Sequence, residues 1–183
     1  MKKIKILDKK FCISIKSVEI QKAISKIANK MNKDLKGKDV IFVCILNGAF
    51  MFASDLLKKI KFNCQISFLK LASYEGTTSS GNIKRLIGIN EGVNENYRNK
   101  TIVIIEDIVD SGITIENIIR QLHEYQPEEI KIATLLYKPN AFKQNFEIDY
   151  VGIEIPNDFI IGFGLDYNGF ARNLNQIYTL TEE

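Results

Sequence analysis

The chain of 183 residues has no tryptophan, a single histidine and only three cysteines. The cysteines, Cys12, Cys44 and Cys64, are widely spaced and form no C-x-x-C pair, and His123 is predicted to lie on the surface of a helix. This composition argues against a zinc site and against a Ser-His-Asp triad. Cys44 lies inside an apolar run, which predicts a small core residue rather than a ligand or nucleophile. A reducing cytoplasm is the expected location.

Long apolar runs are also missing. The basic segment Met1–Lys10 is not followed by an apolar stretch, so we expect neither a signal peptide nor an anchor. No run approaches the roughly 20 residues that span a bilayer. The net charge of +3, from 25 basic and 22 acidic residues, is too small to indicate nucleic-acid binding. We therefore expect neither a membrane nor a nucleic acid as a partner.

Proline is scarce, with three residues, and the chain has no repeat and no linker-like tract. The length fits one domain, residues 1–183, that is large enough to bury a core. A G-x-G-x-x-G motif after a first strand is absent, which argues against a dinucleotide-binding oxidoreductase.

Apolar periodicity predicts strands that alternate with helices. Ser17 is predicted to cap a first helix, and Phe159–Leu180, which lacks helical periodicity, is predicted to form a small lobe or hood. The pattern predicts an α/β fold with a mostly parallel sheet and helices on both faces. The other predicted helices are Ala49–Ile60 and Ile115–Leu122, and the predicted strands are Val40–Leu46, Gln65–Leu71, Ile83–Ile89, Thr101–Ile105, Glu129–Tyr137 and Tyr150–Ile155.

The segment Thr101–Thr114 carries the strongest chemical signal. A β-branched apolar run, typical of a strand buried on both faces, leads directly into Glu106 and Asp107, then into Asp110 and a small-residue turn. Open α/β sheets bind ligands at the carboxyl ends of their strands. A helix start with hydroxyl side chains and Gly112 is suited to an anion. The segment therefore predicts a sugar-phosphate site, with carboxylates for hydroxyls and a metal and a loop for the phosphate.

The same segment resembles the nucleotide-binding signature of the type I phosphoribosyltransferases. The resemblance implies that Glu106 and Asp107 bind the ribose hydroxyls, directly or through Mg²⁺. It implies that the 5-phosphate binds the loop that follows Glu106 and Asp107. It also implies that Asp110 faces N7 of the purine as a general base. The implied phosphate-binding residues are Asp110, Ser111, Gly112, Ile113 and Thr114.

Two further segments fit this family. Leu46, Asn47 and Gly48 resemble its pyrophosphate-binding loop, in which a cis non-proline peptide is expected, although many relatives carry lysine at the position of Asn47. A plain strand-to-helix turn explains this segment equally well on local evidence. Ser73 and Tyr74 begin a polar stretch that resembles the family's active-site lid, while locally it reads only as a flexible loop.

The C-terminal third resembles the hypoxanthine-guanine branch of the family. Lys138 ends a predicted strand, and the resemblance implies that it donates a hydrogen bond to the purine O6. An ammonium group has donors only, so it pairs with O6 of hypoxanthine or guanine and rejects the amino group of adenine. Phe159 would stack on the purine and the backbone of Ile160 would read its edge. Asp166 would hold Mg²⁺ with pyrophosphate, and Arg172 would contact the pyrophosphate. Locally, Lys138 reads as a solvated charge and the later block as a glycine-rich hairpin.

Together these motifs imply a Mg²⁺-dependent transferase that joins hypoxanthine, and guanine, to phosphoribosyl pyrophosphate in purine salvage. Its partners would be these small molecules, and a homodimer or homotetramer is expected by resemblance. The alternative is a non-catalytic regulator on the same fold that senses phosphoribosyl pyrophosphate. A regulator would require an added DNA-binding domain or a strongly basic face, and the chain has neither the length nor the charge.

Overall fold

A computed structural model of the chain describes residues 3–72, 85–87 and 97–181. Within these ranges a six-stranded sheet has the order β5-β4-β3-β6-β7-β8, and a four-stranded sheet has the order β1-β2-β10-β9. The strands are β1 (Lys3–Ile6), β2 (Lys9–Ile15), β3 (Val40–Leu46), β4 (Gln65–Ala72), β5 (Arg85–Ile87), β6 (Thr101–Val109), β7 (Glu129–Tyr137), β8 (Tyr150–Glu154), β9 (Ile160–Ile161) and β10 (Ile177–Leu180). The helices are α1 (Ser17–Asp34), α2 (Phe50–Leu57) and α3 (Ile113–His123).

The large sheet is parallel from β4 to β8, and only β5 runs antiparallel, against β4. Successive strand residues point to opposite faces, and each face of this sheet is covered by helices. On β3, Val40, Phe42 and Cys44 pack with α1 and α2. Ile41, Val43 and Ile45 pack on the other face with Ile115, Ile118 and Leu122 of α3. The predicted parallel sheet with helices on both faces is confirmed, and so is the core position of Cys44.

Several predicted boundaries differ from the observed ones. Ser17 is the first residue of α1 rather than its cap, because the cap position belongs to Lys16, whose backbone N–H donates to the Glu19 carboxylate at 3.0 Å. Helix α2 ends at Leu57, three residues before the predicted end. The amides of Lys59 and Ile60 bond carbonyls three residues back, which is the tighter spacing of a closing turn.

The small sheet is the predicted hood, and it joins the two ends of the chain. Strand β10 lies between β2 and β9 and pairs antiparallel with both. The N-terminal hairpin of β1 and β2 was not predicted. Its signal was the alternation of Phe11, Ile13 and Ile15. Phe11 and Ile13 face the hood's own apolar cluster, and Ile15 packs against the core of the large sheet.

Of the predicted strand Ile83–Ile89, Arg85–Ile87 is observed as β5, and the rest lies outside the described residues. Among the described residues no helix is long and apolar enough to cross a membrane.

Candidate active site

The carboxylates of Glu106 and Asp107 lie at the carboxyl end of β6, and their side chains contact different loops. Glu106 lines a cavity of about 230 Å³ together with Asp110 and the start of α3. Asp107 is buried against the turn after β3, where a Cβ added to Gly48 would lie 1.7 Å from its Oδ2. Adjacent strand residues point to opposite faces of the sheet, so two consecutive acids reach two separate loops.

The cavity beside Glu106 is formed by the loop that the sequence predicts as the phosphate site. Gly112 precedes α3 with φ of 81°, a left-handed conformation that suits glycine. The loop therefore ends at the N-terminus of an 11-residue helix, where free amides and the helix dipole favour an anion. Ser111, Gly112 and Thr114 all line the cavity.

A segment that sequence reasoning missed supports this loop from behind. The carbonyl oxygen of Ser111 accepts hydrogen bonds from the backbone N–H of Lys143 and from Nε2 of Gln144, both at 3.3 Å. A Cβ added to Gly112 would lie 2.5 Å from the ring of Phe142 and 2.6 Å from Cγ of Gln144. The stretch after β7 is irregular and has no periodic pattern, so the sequence offers no signal for these contacts.

Lys138 and Asp110 are neighbours in the structure. Nζ of Lys138 lies 3.2 Å from Oδ2 of Asp110, and the Lys138 backbone N–H donates to the Val109 carbonyl at 3.0 Å. Lys138 is buried, whereas the Asp110 side chain is 56% exposed. A buried ammonium group thus stands beside an accessible carboxylate at the mouth of the loop.

The electrostatics of the carboxylates favour a ligand. Oε2 of Glu106 is buried and has no hydrogen-bond partner, and burial, then the charge of Asp107, raises the pKa of Glu106 well above its usual value. Burial also raises the pKa of Asp107 to about 6, opposed by the amide of Ile108, which donates to Oδ1 at 2.8 Å. An orphaned buried oxygen is costly unless a bound group meets it.

The C-terminal block lies directly on the turn after β3. A Cβ added to Gly164 would come within 1.9 Å of the Gly48 carbonyl oxygen. Arg172 pairs with Asp166 at 2.6 Å and donates to the Gly164 carbonyl at 2.7 Å. The charge of Arg172 also lowers the pKa of Asp107, while that of Asp166 raises it. The structure therefore brings these predicted pyrophosphate and metal residues together around Asp107.

The remaining predicted residues have mixed outcomes. The peptide between Leu46 and Asn47 is cis, as the family resemblance implies. Phe159 is half-exposed, and Ile160 begins β9 and lines a cavity of about 220 Å³ between the hood and the end of β8. The predicted lid residues Ser73 and Tyr74 lie outside the described residues.

A magnesium ion fits this donor set, although no group of three or more histidine, cysteine, aspartate and glutamate side chains is placed to hold a metal in the part of the chain described. Mg²⁺ is commonly held by one or two carboxylates together with substrate phosphates. The buried, unpartnered oxygen of Glu106 belongs to one such carboxylate, and Asp107, on the opposite face of β6, is a second and separate one.

A parallel sheet whose central strand ends in carboxylates and a glycine turn before a helix, with a hood beside it, defines an α/β protein with the arrangement in which open sheets bind ligands. More narrowly, the chain belongs to the family described as the phosphoribosyl transferase domain, whose family model matches residues 15–168.

Curated relatives and solved structures agree with this family. The chain is 36% identical over 168 residues to a hypoxanthine-guanine phosphoribosyltransferase of Mycobacterium tuberculosis, covering 88% of this chain and 82% of the relative. It is 38% identical over 165 residues to that of Staphylococcus aureus, covering 90% of each. A crystal structure of a hypoxanthine phosphoribosyltransferase from S. aureus aligns with a TM-score of 0.82 at 36% identity, covering 93% of this chain and 91% of that one. A crystal structure of a hypoxanthine-guanine phosphoribosyltransferase from Bacillus anthracis aligns with a TM-score of 0.80 at 30% identity. The alignment covers 93% of this chain and 97% of that one.

Proposed function

We propose that this protein is a purine-salvage transferase that joins hypoxanthine or guanine to phosphoribosyl pyrophosphate, releasing a purine nucleoside monophosphate and pyrophosphate. Its membership of the phosphoribosyl transferase family and its relatives named for this reaction support the proposal. The observation that carries it furthest is the pair of Lys138 and Asp110 beside the phosphate loop. The ammonium group of Lys138 suits a purine oxygen, and the carboxylate of Asp110 suits a protonated purine nitrogen.

The 5-phosphate would bind the loop Asp110–Thr114, using backbone amides and the hydroxyls of Ser111 and Thr114. The cavity of about 230 Å³ and the helix N-terminus support this placement. With the phosphate there, Asp110 would lie beside the ribose and would face the base. As N9 forms its bond to C1, the bond from C1 to pyrophosphate breaks, and Asp110 accepts or shares the N7 proton.

Lys138 would donate a hydrogen bond to O6 of hypoxanthine or guanine. Because an ammonium group has donors only, it would leave the amino group of adenine unpaired. Its burial and its ion pair with Asp110 hold Nζ in place, so the base would be read by a fixed donor. Phe159 would stack on the purine ring, and the backbone of Ile160 would read the base edge.

Pyrophosphate would lie between Leu46–Gly48 and Arg172. The contact between Gly164 and Gly48 and the position of Asp107 behind them support this placement. Because Asn47 carries no charge, binding on this loop would depend on backbone amides. Glu106 and Asp107 would bind the ribose hydroxyls.

We further propose that Mg²⁺ is the cofactor: Glu106 and Asp107 would meet it at the ribose hydroxyls, and Asp166 would hold a Mg²⁺ that carries pyrophosphate. Bound there, the ion would neutralise the charge that develops on the leaving pyrophosphate. The hard oxygen donors and the substrate phosphates favour Mg²⁺ over softer metals. The cytoplasmic location, the single domain over 1–183 and the homodimer or homotetramer remain predictions from the sequence.

The direct test is pyrophosphate release with phosphoribosyl pyrophosphate and Mg²⁺, offering hypoxanthine, guanine, xanthine and adenine in turn. We expect turnover with hypoxanthine and guanine and little with adenine. Tight binding of phosphoribosyl pyrophosphate without turnover on any base would replace the transferase with the regulator.

A further inference from the structure

Phe159 belongs to a cluster of three aromatic rings in the hood. Its ring centroid lies 6.0 Å from that of Tyr167, at an interplanar angle of 86°, and 6.3 Å from that of Phe11. Phe11 and Tyr167 are themselves 6.3 Å apart. Phe11 is fully buried, whereas Phe159 remains 47% exposed. Two rings therefore hold part of Phe159 while the rest of it is open to a ligand.

Tyr167 is in turn fixed by the N-terminal hairpin. Its hydroxyl donates to Oδ1 of Asp8 at 2.8 Å, and Nζ of Lys9 lies 5.2 Å from its ring centroid and 5.9 Å from that of Phe159. Asp8 lies in the turn between β1 and β2, and Phe11 lies on β2. All three hairpin residues precede residue 15, where the match to the family model begins.

We propose that Tyr167, held by Asp8 and Phe11, is a positioning residue for the purine base. Its edge-to-face contact sets the plane of the Phe159 ring, and that plane determines how a flat 6-oxopurine stacks. This inference depends on the proposed function, in which Phe159 stacks on the base. It adds the N-terminal hairpin, by way of Asp8 and Phe11, to the determinants of base binding.

A positioning role for Tyr167 would affect binding of the base alone, whereas a purely structural role would affect binding of both substrates. Tyr167 follows Asp166, which is anchored separately by Arg172 and by the backbone N–H of Gly169 at 2.7 Å. Removing the Tyr167 ring therefore leaves the anchors of Asp166 in place. Base binding should weaken, while binding of the sugar phosphate should not.

The test is steady-state kinetics of Tyr167→Leu with hypoxanthine and phosphoribosyl pyrophosphate varied separately. An edge-to-face aromatic contact corresponds to about three- to tenfold in binding. We expect KM for hypoxanthine to rise by about that factor and KM for phosphoribosyl pyrophosphate to stay within about twofold. Calorimetric titrations should show the same rise in Kd for inosine monophosphate, and none for ribose 5-phosphate.

Smaller changes separate the hydroxyl contact from the ring contact. Tyr167→Phe and Asp8→Ala should each raise KM for hypoxanthine less than Tyr167→Leu does. Asp8→Asn, which keeps an accepting oxygen, should behave like the wild type. Phe170→Leu is the matched control, because Phe170 is an exposed ring of the same loop and forms no ring contact among the described residues.

Three results would overturn the inference: equal changes in both KM values, an equal effect of Phe170→Leu, or no change in Tyr167→Leu. If Tyr167→Leu does not fold, Tyr167→Phe and Asp8→Ala decide the question. KM for hypoxanthine should rise in each of them while KM for phosphoribosyl pyrophosphate does not. A wild-type protein that turns over no 6-oxopurine would instead overturn the proposed function, and this inference with it.

Discussion

The ammonium group of Lys138 lies 3.2 Å from the carboxylate of Asp110, although the two residues follow different strands of the sheet and are 28 positions apart. Parallel pairing of β6 and β7 brings them together, because Val109 and Tyr137, the residues just before them, are register partners. The pair thus joins the proposed base reader to the proposed proton acceptor.

Asp110→Asn should lower kcat by ~10²–10⁴, the usual scale for loss of a general base, because the amide keeps the shape but accepts no proton. The measurement is initial-rate pyrophosphate release at saturating substrates. Asp39→Asn is the control, since Asp39 is an exposed acid just before β3, at the opposite end of the sheet. Wild-type turnover in Asp110→Asn would contradict the role of Asp110.

Lys138→Ala should reduce discrimination between hypoxanthine and adenine, because the donor for O6 is lost. The fold should persist, since the partner left behind, Asp110, is largely solvated. The ratio of kcat/KM for the two bases measures the effect. An unchanged ratio would remove Lys138 from base selection.

Gly48→Ala should destabilise the protein by about 1–3 kcal/mol, the range for overpacking a buried site. Its Cβ would meet the Asp107 carboxylate at 1.7 Å, and the short, buried Asp107 side chain has little room to move. Thermal unfolding measures the loss. In an Asp107→Ala background the same substitution should cost less, and an equal cost in both backgrounds would show that the contact is not the cause.

Asp107→Asn should stabilise the ligand-free protein at neutral pH. Because burial raises the pKa of Asp107 from 3.8 to about 6, the folded state binds a proton more tightly than the unfolded state. The group's contribution to stability is therefore fully favourable below its unfolded pKa and is lost as pH rises toward 6. Two pKa units correspond to roughly 3 kcal/mol.

The check on Asp107 is the difference in unfolding free energy between Asp107→Asn and the wild type as a function of pH. This difference should grow from about pH 4 upward and continue to grow beyond about pH 6, because the charge of Asp107 also raises the pKa of Glu106 and the substitution removes that charge. Taking a difference cancels groups of opposite sign, such as Glu129, whose pKa is lowered by its contacts with Lys38 and Thr101 despite burial. A pH-independent difference would contradict the raised pKa.

Gln144→Ala should raise KM for phosphoribosyl pyrophosphate by about two- to tenfold, the equivalent of one hydrogen bond. It removes a hydrogen bond to the Ser111 carbonyl and the packing beside Gly112, so the phosphate loop loses support. Asn145→Ala, at the exposed neighbouring position, is the control. If both variants behave alike, Gln144 has no specific role in holding the loop.

The parts of the fold with strong local patterns were predictable. Strand β3 was predicted with its observed bounds because it is apolar on both faces and ends at a glycine turn. Strand β7 was equally clear. The β1–β2 hairpin was missed because its alternation is short and mixed with lysines, and its burial depends on β10, which lies more than 160 residues away.

The candidate site was predictable only where a motif names the residue. Glu106, Asp107 and Asp110 stand in one contiguous segment, so their grouping follows from sequence. The support of Ser111 by Gln144, and the contact of Gly164 with Gly48, arise from tertiary packing between distant segments. Such contacts leave no periodic trace in the chain.

The place of β10 between β2 and β9 has a consequence for biosynthesis. Strand β10 follows every other described strand in the sequence, so the hood cannot close until Ile177–Leu180 has been synthesised. The β1–β2 hairpin must wait for β10 before it pairs, and Phe159 acquires its surroundings in the hood only then. Under the proposed function, the surface that stacks on the purine is complete only after β10 has paired.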